Sequence, residues 1–135
     1  MKTKKIFLIV LITSSLFLMH CDSCLLGCDT GPFFGQLEIK LTTNDENTEI
    51  PIEIFEGNFD DGISLLLDTI RVSEIENGRV VYDDFEAGFF YSVTATYKQG
   101  TKTIIAIDGD EMALEYDDCD CEYPTDLVLN VRLAK

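Results

Sequence analysis

Five cysteines, at positions 21, 24, 28, 119 and 121, are the side chains of this chain best suited to covalent chemistry. They form two clusters, one just after an N-terminal apolar run and one near the C-terminus. An exported protein with an odd number of cysteines has one thiol that no intramolecular disulfide can use. If Cys21 carries a different modification, the other four cysteines suffice for two disulfides.

The spacing of these four cysteines favours bridges between the clusters. A Cys119–Cys121 bridge would close a ring across one residue, which strains disulfide geometry. We therefore predict that Cys24 and Cys28 pair with Cys119 and Cys121, in an order that the sequence leaves open. Each bridge would close a loop of roughly 90–100 residues, worth on the order of 4 kcal/mol in the chain-entropy model. A four-thiolate zinc site is the alternative, but zinc ligand pairs usually have two to four residues between them.

Carboxylates are the second group of candidates. The Asp108-Gly109 pair predicts a turn between strands, and Asp108, Asp110 and Glu111 are weak candidates for a calcium site at that turn. The twelve-residue spacing of an EF-hand is absent, and Asp-Gly is itself a preferred hairpin turn. Paired carboxylates can also hydrolyse glycosides. Because the sequence singles out no such pair, we predict that the protein is not an enzyme and has no cofactor.

The single histidine, His20, narrows the possible chemistry further. It lies at the end of the N-terminal apolar run, so the remainder of the chain has no histidine. This excludes Ser-His-Asp and Cys-His catalysis from that remainder, together with histidine metal ligands.

The N-terminus has the two parts of a secretory signal peptide. Lys2, Lys4 and Lys5 form a basic region, and the uncharged run Ile6–Met19 follows. A membrane-spanning helix needs about 20 apolar residues, which is longer than this run. We therefore predict a helical signal peptide over residues 1–20, removed on export.

Leu18-Met19-His20-Cys21 resembles the lipobox of bacterial lipoproteins, with His20 in place of the usual small residue. The resemblance implies that Cys21 becomes the lipid-modified N-terminus and anchors the protein to a membrane of the bacterial cell envelope. We expect the outer membrane, with the domain facing the periplasm or the cell exterior. The whole chain is similar to small bacterial lipoproteins, a family that implies no activity.

The charge of the chain limits its partners. The full sequence has 10 basic and 25 acidic residues, and removal of residues 1–20 takes three lysines with it, which gives a net charge of −18. Such a chain repels phosphate backbones and anionic headgroups. We therefore expect no nucleic-acid partner, and a protein or a glycan as the possible ligand.

Alternating apolar and polar residues dominate the sequence after a cysteine-bearing tether over residues 21–35. The alternation recurs in short runs separated by turn signals, with apolar positions at Leu37–Leu41, Ile50–Ile54, Tyr91–Tyr97, Thr103–Ile107 and Leu127–Leu133, and weaker runs at Leu66–Val72, Val80–Phe85 and Met112–Tyr116. No amphipathic helix is visible after the leader. The pattern predicts an all-β fold over residues 36–135, a single antiparallel two-sheet β-sandwich of seven or eight strands.

Two short segments carry resemblances. Glu86–Tyr97, a glycine-containing turn followed by Tyr-x-Val-x-Ala-x-Tyr, resembles part of the transthyretin-like and carboxypeptidase-regulatory-like sandwiches, which are Ig-like in architecture. This implies a fold, not an activity, with Tyr91 packing at the start of a strand and tying the corner. Asp68-Thr69-Ile70 resembles a tripeptide that carries O-linked glycans in some Gram-negative exported proteins, but such tripeptides also arise by chance, and a plain strand residue is the favoured interpretation.

These observations together predict a membrane-anchored binding module of unknown ligand. The alternatives are a structural envelope lipoprotein without a discrete ligand, a calcium-binding module and a carboxylate-based hydrolase. A broad exposed aromatic patch that includes Phe55, Phe90 or Tyr123 would favour binding over a purely structural role.

Overall fold

A computed structural model describes residues 27–62 and 64–133 of the chain. These residues fall into two compact units. The larger comprises residues 31–115 and 123–133, and the smaller comprises residues 27–30 and 116–122. The predicted signal peptide, Cys21 and Cys24 lie outside the described residues.

The described residues contain nine strands and only short 3₁₀ turns, so the prediction of an all-β fold is confirmed at that level. The strands are β1 (Phe34–Thr42), β2 (Pro51–Glu56), β3 (Leu65–Arg71), β4 (Arg79–Glu86), β5 (Phe90–Gln99), β6 (Lys102–Glu111), β7 (Leu114–Tyr116), β8 (Glu122–Pro124) and β9 (Leu127–Arg132). The 3₁₀ turns are Asp45–Asn47, Phe59–Asp61, Val72–Glu74 and Glu76–Gly78.

The strands form three sheets, with the orders β4-β1-β9, β3-β2-β5-β6 and β7-β8. All pairings of the four-stranded sheet are antiparallel. In the three-stranded sheet, however, β1 and β9 run parallel, so the expectation of purely antiparallel sheets was wrong here. Parallel neighbours need a long connection, and these two strands are separated by almost the whole domain.

One hydrophobic core draws on both larger sheets. Alternate residues of β1 and β9 are buried, as are the corresponding residues of β2 and β5, which confirms the predicted inward positions on these four strands: Leu37, Ile39, Leu41, Ile52, Ile54, Tyr91, Val93, Ala95, Leu127, Leu129 and Val131. The alternation has this effect because successive side chains of a strand point to opposite faces of the sheet.

Tyr91 ties the start of β5 as the sequence predicted. Its side chain is 2% exposed, and its hydroxyl donates a hydrogen bond to the Glu86 backbone carbonyl at 2.8 Å. Burial and the carboxylates of Glu56 and Glu86 raise the pKa of this phenol.

Candidate binding surface

The Asp108-Gly109 pair is not a turn. Strand β6 runs through both residues, which pair with Val93 and Ser92 of β5. The predicted turn was therefore wrong at this position, and Asp108, Asp110 and Glu111 all lie within the strand. Because adjacent strand residues alternate in direction, Glu111 points to the opposite face from the other two.

Steric contact explains why a glycine stands in this strand. A Cβ atom at position 109 would lie 2.8 Å from Phe90 Cε1 and 3.0 Å from both Ser92 Cβ and the Tyr91 carbonyl oxygen. These distances are shorter than normal contacts between non-bonded atoms. Gly109 therefore allows Phe90 to fold over β6, and the glycine serves close packing instead of chain reversal.

The carboxylate of Asp108 is occupied by backbone groups. One oxygen accepts the N–H of Gly109 at 3.0 Å, and the other accepts the N–H of Asn130 on β9 at 2.6 Å. Asp110 accepts the N–H of Glu111 at 2.8 Å. Across the described part of the chain, no group of three or more His, Cys, Asp or Glu side chains is placed to hold a metal ion. The calcium prediction assumed that these carboxylates lie in a loop, and the structure places them in a strand instead.

The cysteines of the smaller unit confirm pairing between the two clusters. Cys28 and Cys121, 93 residues apart in sequence, form a disulfide with their Cα atoms 5.2 Å apart. Cys119 is also disulfide-bonded. Asp117 orders this loop, since its Oδ1 accepts the N–H groups of Cys119 and Cys121 at 2.8 and 3.0 Å. These three cysteines are therefore not available as the thiolates of a zinc site.

The outer face of the four-stranded sheet, meaning the face turned away from the core, carries an apolar patch. One cross-strand row contains Leu66, Phe55, Ser92 and Gly109, on β3, β2, β5 and β6 respectively. Ile107 and Ile105 follow on β6 in the next two rows, and they are 43% and 55% exposed. Their pairing with Thr94 and Thr96 places these two isoleucines on the solvent side of the sheet, although their alternation in the sequence is typical of a core-facing strand.

Two further phenylalanines, one on a turn and one at the beginning of a central strand, deepen this patch into a groove. Phe59, on the 3₁₀ turn after β2, is 38% exposed and stacks in a tilted geometry on Phe55, with ring centroids 5.9 Å apart. Phe90 stands at the beginning of β5. Between them lies a groove of about 280 Å³, lined by Asn58, Phe59, Phe90, Ser92, Ile107, Asp108 and Gly109. Small residues form its floor and aromatic rings stand beside it, while most of the surface exposed inside the groove is polar.

The polar groups of the groove floor are internally bonded. Ser92 is 2% exposed, and its hydroxyl donates to the Gly57 carbonyl at 2.8 Å. In the next cross-strand row, Thr94 is 1% exposed, and its hydroxyl oxygen lies 3.5 Å from a carboxylate oxygen of its partner Glu53. The hydroxyl groups of the floor therefore already have hydrogen-bond partners within the sheet.

The three aromatic residues singled out in the sequence do not form one patch. Phe55 and Phe90 lie on the groove side of the sheet and are half-buried, whereas Tyr123 is exposed on β8 and bonds Glu115 at 2.8 Å. Sequence reasoning missed Phe59, Ile107 and Gly109. No local signal marks them, because their proximity depends on the pairing of β2, β5 and β6.

The tripeptide Asp68-Thr69-Ile70 lies on β3, at the edge of the same sheet. Thr69 is exposed, and its N–H donates to the Asp68 carboxylate at 2.8 Å. Modification of this threonine stays a prediction.

Comparison with known proteins adds no relationship: no protein family, curated protein or solved structure shows significant similarity to the chain. Within the described residues, no helix has the length and apolar character needed to cross a membrane.

Proposed function

We propose that this protein is exported, anchored by a lipid on Cys21 in the bacterial cell envelope, and acts there as a binding module. The observation that carries the binding role is the exposed apolar patch on the outer face of the four-stranded sheet, with its groove of about 280 Å³ beside Phe59, Phe90 and Ile107. Contiguous exposed apolar surface is uncommon on soluble monomers and often marks an interaction site. The basic region, the apolar run and Leu18-Met19-His20-Cys21 support the anchor, with the outer membrane as the favoured location.

We further propose a two-sheet β-sandwich of the transthyretin-like or Ig-like type for the anchored domain. Its support is the core shared by the three- and four-stranded sheets, together with the Tyr91 hydrogen bond across the corner between β4 and β5. In such an arrangement each larger sheet buries one face and shows water the other.

The two outward faces differ in a way that favours binding over a purely structural role. On the three-stranded sheet, Glu38 lies within ion-pair distance of Arg79 and Lys40, at 3.2 and 3.8 Å. The large exposed apolar residues of that face are Phe34 on β1 and the two residues that pair with Glu38 from its neighbouring strands, Val81 and Val128. The opposite sheet instead brings phenylalanine and isoleucine side chains together around a groove.

Catalysis is not part of the proposal. Asp108 is the one acidic residue along the groove, and its carboxylate, on the side of β6 opposite Ile107 and Gly109, already accepts two backbone N–H groups. A general acid or base needs a proton or lone pair free to exchange with substrate.

The anchor is tested by mass spectrometry of the full chain extracted from bacterial membranes, before and after reduction. We expect a diacylated N-terminal Cys21, and a gain of two hydrogens for each disulfide that is reduced. A Cys21→Ala variant serves as the control and should remain without lipid. An N-terminal peptide with unmodified Cys21 in the parent protein would refute the anchor.

The binding role is tested by alanine substitutions on the two outward sheet faces. Phe59→Ala and Ile107→Ala remove the groove walls, whereas Val81→Ala and Val128→Ala remove comparably exposed side chains from the other sheet. After chemical crosslinking in intact cells, we expect the first pair to reduce the high-mass adducts of the full chain and the second pair to leave them unchanged. Equal adduct patterns for all four variants would refute a binding role for the groove.

A further inference from the structure

We infer that two disulfides, Cys28–Cys121 and Cys24–Cys119, hold the domain to its anchored N-terminus even when the backbone just after Cys28 is cut. We call these two bridges the clamp. This inference rests on the proposed lipid on Cys21 and specifies how that anchor is joined to the domain. Release from the membrane then needs two separate events, cleavage of the backbone after Cys28 and reduction of both bridges.

One cysteine, Cys24, is left as the partner of Cys119. Cys28 and Cys121 are bonded to each other, and Cys119 is disulfide-bonded as well. Of the five cysteines in the sequence, only Cys21 and Cys24 remain as its partner. A lipid on Cys21 is attached through the sulfur atom, and a thioether sulfur cannot form a disulfide. Cys24 therefore pairs with Cys119, which gives the order of pairing that the sequence left open.

The backbone that follows Cys28 is an exposed segment without regular structure. Residues 28–32 are all exposed, and they precede β1. Nothing lies within 4 Å of a Cβ atom placed on Gly31. Phe33, in contrast, is held by its carbonyl, which accepts the N–H of Ala87 at 2.8 Å. Exposed segments of this kind are preferred sites of proteolytic cleavage, so this is where a protease would cut the chain.

The other end of the clamp is a loop whose two ends continue into strands. Residues 117–121 lie between β7 and β8. Asp117 orders the loop, because its N–H donates to the Cys121 carbonyl at 3.0 Å and its carboxylate accepts the N–H groups of Cys119 and Cys121. Strand β8 is followed by β9, which supplies buried residues of the core. The bridges are thus attached to a part of the chain that belongs to the folded domain.

Two covalent routes therefore join Cys28 to the domain. The first is the backbone through residues 29–33, and the second is the bridge to Cys121, 93 residues further along the chain. A cut in the first route leaves the second intact, and Cys24–Cys119 adds a third route that begins closer to the lipid. The oxidising conditions outside the cytoplasm preserve such bridges.

Reduction opens each bridge by thiol–disulfide exchange. A thiolate of an external dithiol attacks one sulfur of the bridge, and the other sulfur leaves as a thiolate. The second thiol of the reagent then attacks the mixed disulfide and releases the first cysteine. Each bridge takes up two electrons and two protons and yields two cysteine thiols, while the dithiol becomes a disulfide. Because either bridge alone still holds the domain, both must be reduced for release.

The inference is tested on the full chain with a protease recognition sequence inserted between Thr30 and Gly31. Bacterial membranes that carry this variant are treated with the protease, with dithiothreitol or with both, and the domain is measured in the membrane and soluble fractions. We expect release only when both reagents are present. A variant with the same insertion between Asp22 and Ser23, upstream of the clamp, is the control, and the protease alone should release its domain.

Release of the first variant by the protease alone, or its retention after both reagents, would overturn the inference. Denaturing gels separate this result from the anchor. The cut chain should run as one species without reductant and as two species with it, whether or not a lipid is attached. A chain in the soluble fraction before any treatment would contradict the anchor, while the gel would still decide the clamp.

The order of pairing is tested in the parent protein by peptide mapping without reduction. Leucines lie between Cys24 and Cys28, and an aspartate lies between Cys119 and Cys121, so chymotrypsin and an Asp-specific protease separate the four cysteines. We expect mass spectrometry to find the Cys24 fragment linked to the Cys119 fragment. A link from Cys24 to Cys121, or from Cys21 to Cys119, would overturn the assignment.

Discussion

The side chain of Tyr91 makes both a ring contact with Phe85 and a hydrogen bond to the backbone of Glu86. Its ring packs edge-on against Phe85 at a centroid distance of 4.9 Å, and its hydroxyl reaches back across the turn to Glu86. A buried hydroxyl without a partner is costly, so this bond and the packing depend on each other. The resemblance carried by Glu86–Tyr97 implied this role for Tyr91.

Tyr91→Phe should therefore destabilise the domain by about 1 kcal/mol, the usual net contribution of one such hydrogen bond. Denaturant unfolding followed by circular dichroism measures the change. Tyr116→Phe is the matched control, because that exposed hydroxyl bonds only the exposed Glu122 carboxylate. Equal losses in the two variants would contradict a special role for the corner.

Tyr82 gives the domain an alkaline limit. Burial, assisted by the nearby Asp68 carboxylate, raises its pKa to about 12 from the ordinary value of 10. The unfolded chain thus releases this proton at a lower pH than the folded domain does. The contribution is fully present below about pH 10 and is lost as the pH rises toward about 12. We expect Tyr82→Phe to show a shallower fall of melting temperature over this interval than the parent protein, and parallel curves would contradict the assignment.

Carboxylates have a structural use that total charge does not reveal. In the described residues, eight backbone N–H groups donate to Asp or Glu side chains: those of Gln36, Thr69, Arg71, Gly109, Glu111, Cys119, Cys121 and Asn130. Hydrogen bonds to a charged acceptor are stronger than neutral ones. Part of the acidic composition therefore stabilises strand edges and loops that regular pairing leaves open.

At the scale of elements, β6 shows where local sequence signals fail. Asp-Gly is a strong hairpin signal, yet the strand continues because β5 offers ten consecutive partners from Phe90 to Gln99. The face presented by Ile105 and Ile107 depends on that register, since a shift of one residue exchanges the two faces of a strand. Nothing within β6 itself encodes the register, so the exposed isoleucines were not predictable from alternation.

Gly109→Ala should destabilise the domain by about 1–3 kcal/mol, because the added Cβ overlaps Phe90 and the backbone of β5. Gly31→Ala is the control, since nothing lies within 4 Å of its Cβ position. Thermal unfolding of both variants measures the difference. If position 109 were an open turn, the two substitutions would behave alike.

Asp108→Ala should cost about 1.5–3 kcal/mol, the range for a hydrogen bond to a charged group. The substitution removes the acceptor for the Asn130 N–H, which links the edge of β6 to that of β9. Asp110→Ala is the control, because Asp110 bonds only the neighbouring Glu111 N–H. Added calcium should change the melting temperature of neither the parent nor the variants, and a calcium-dependent rise lost in Asp108→Ala would restore the metal site.

At the scale of the whole molecule, the features predictable from the sequence are those encoded by the alternation of apolar residues and by the spacing of the cysteines. The all-β fold and the inward residues of β1, β2, β5 and β9 follow from alternation, and pairing between the cysteine clusters follows from disulfide geometry. The parallel neighbours β1 and β9 and the groove were not predictable, because both depend on which distant strands pair. Phe59 is an example. Its ring contact with Phe55 is local in sequence, but the other walls of the groove come from β5 and β6, whose position depends on strand pairing.

The central claim is that the outer face of the four-stranded sheet meets a partner in the cell envelope. It is tested most directly by placing a photo-reactive phenylalanine analogue in the full chain at Phe59 or Ile107, and in separate variants at Val81 or Val128, which have similar exposure. We expect irradiation of intact cells to give discrete adducts from positions 59 and 107 and none from positions 81 and 128. Adducts of equal yield from both sheets, or from positions 81 and 128 alone, would contradict the claim.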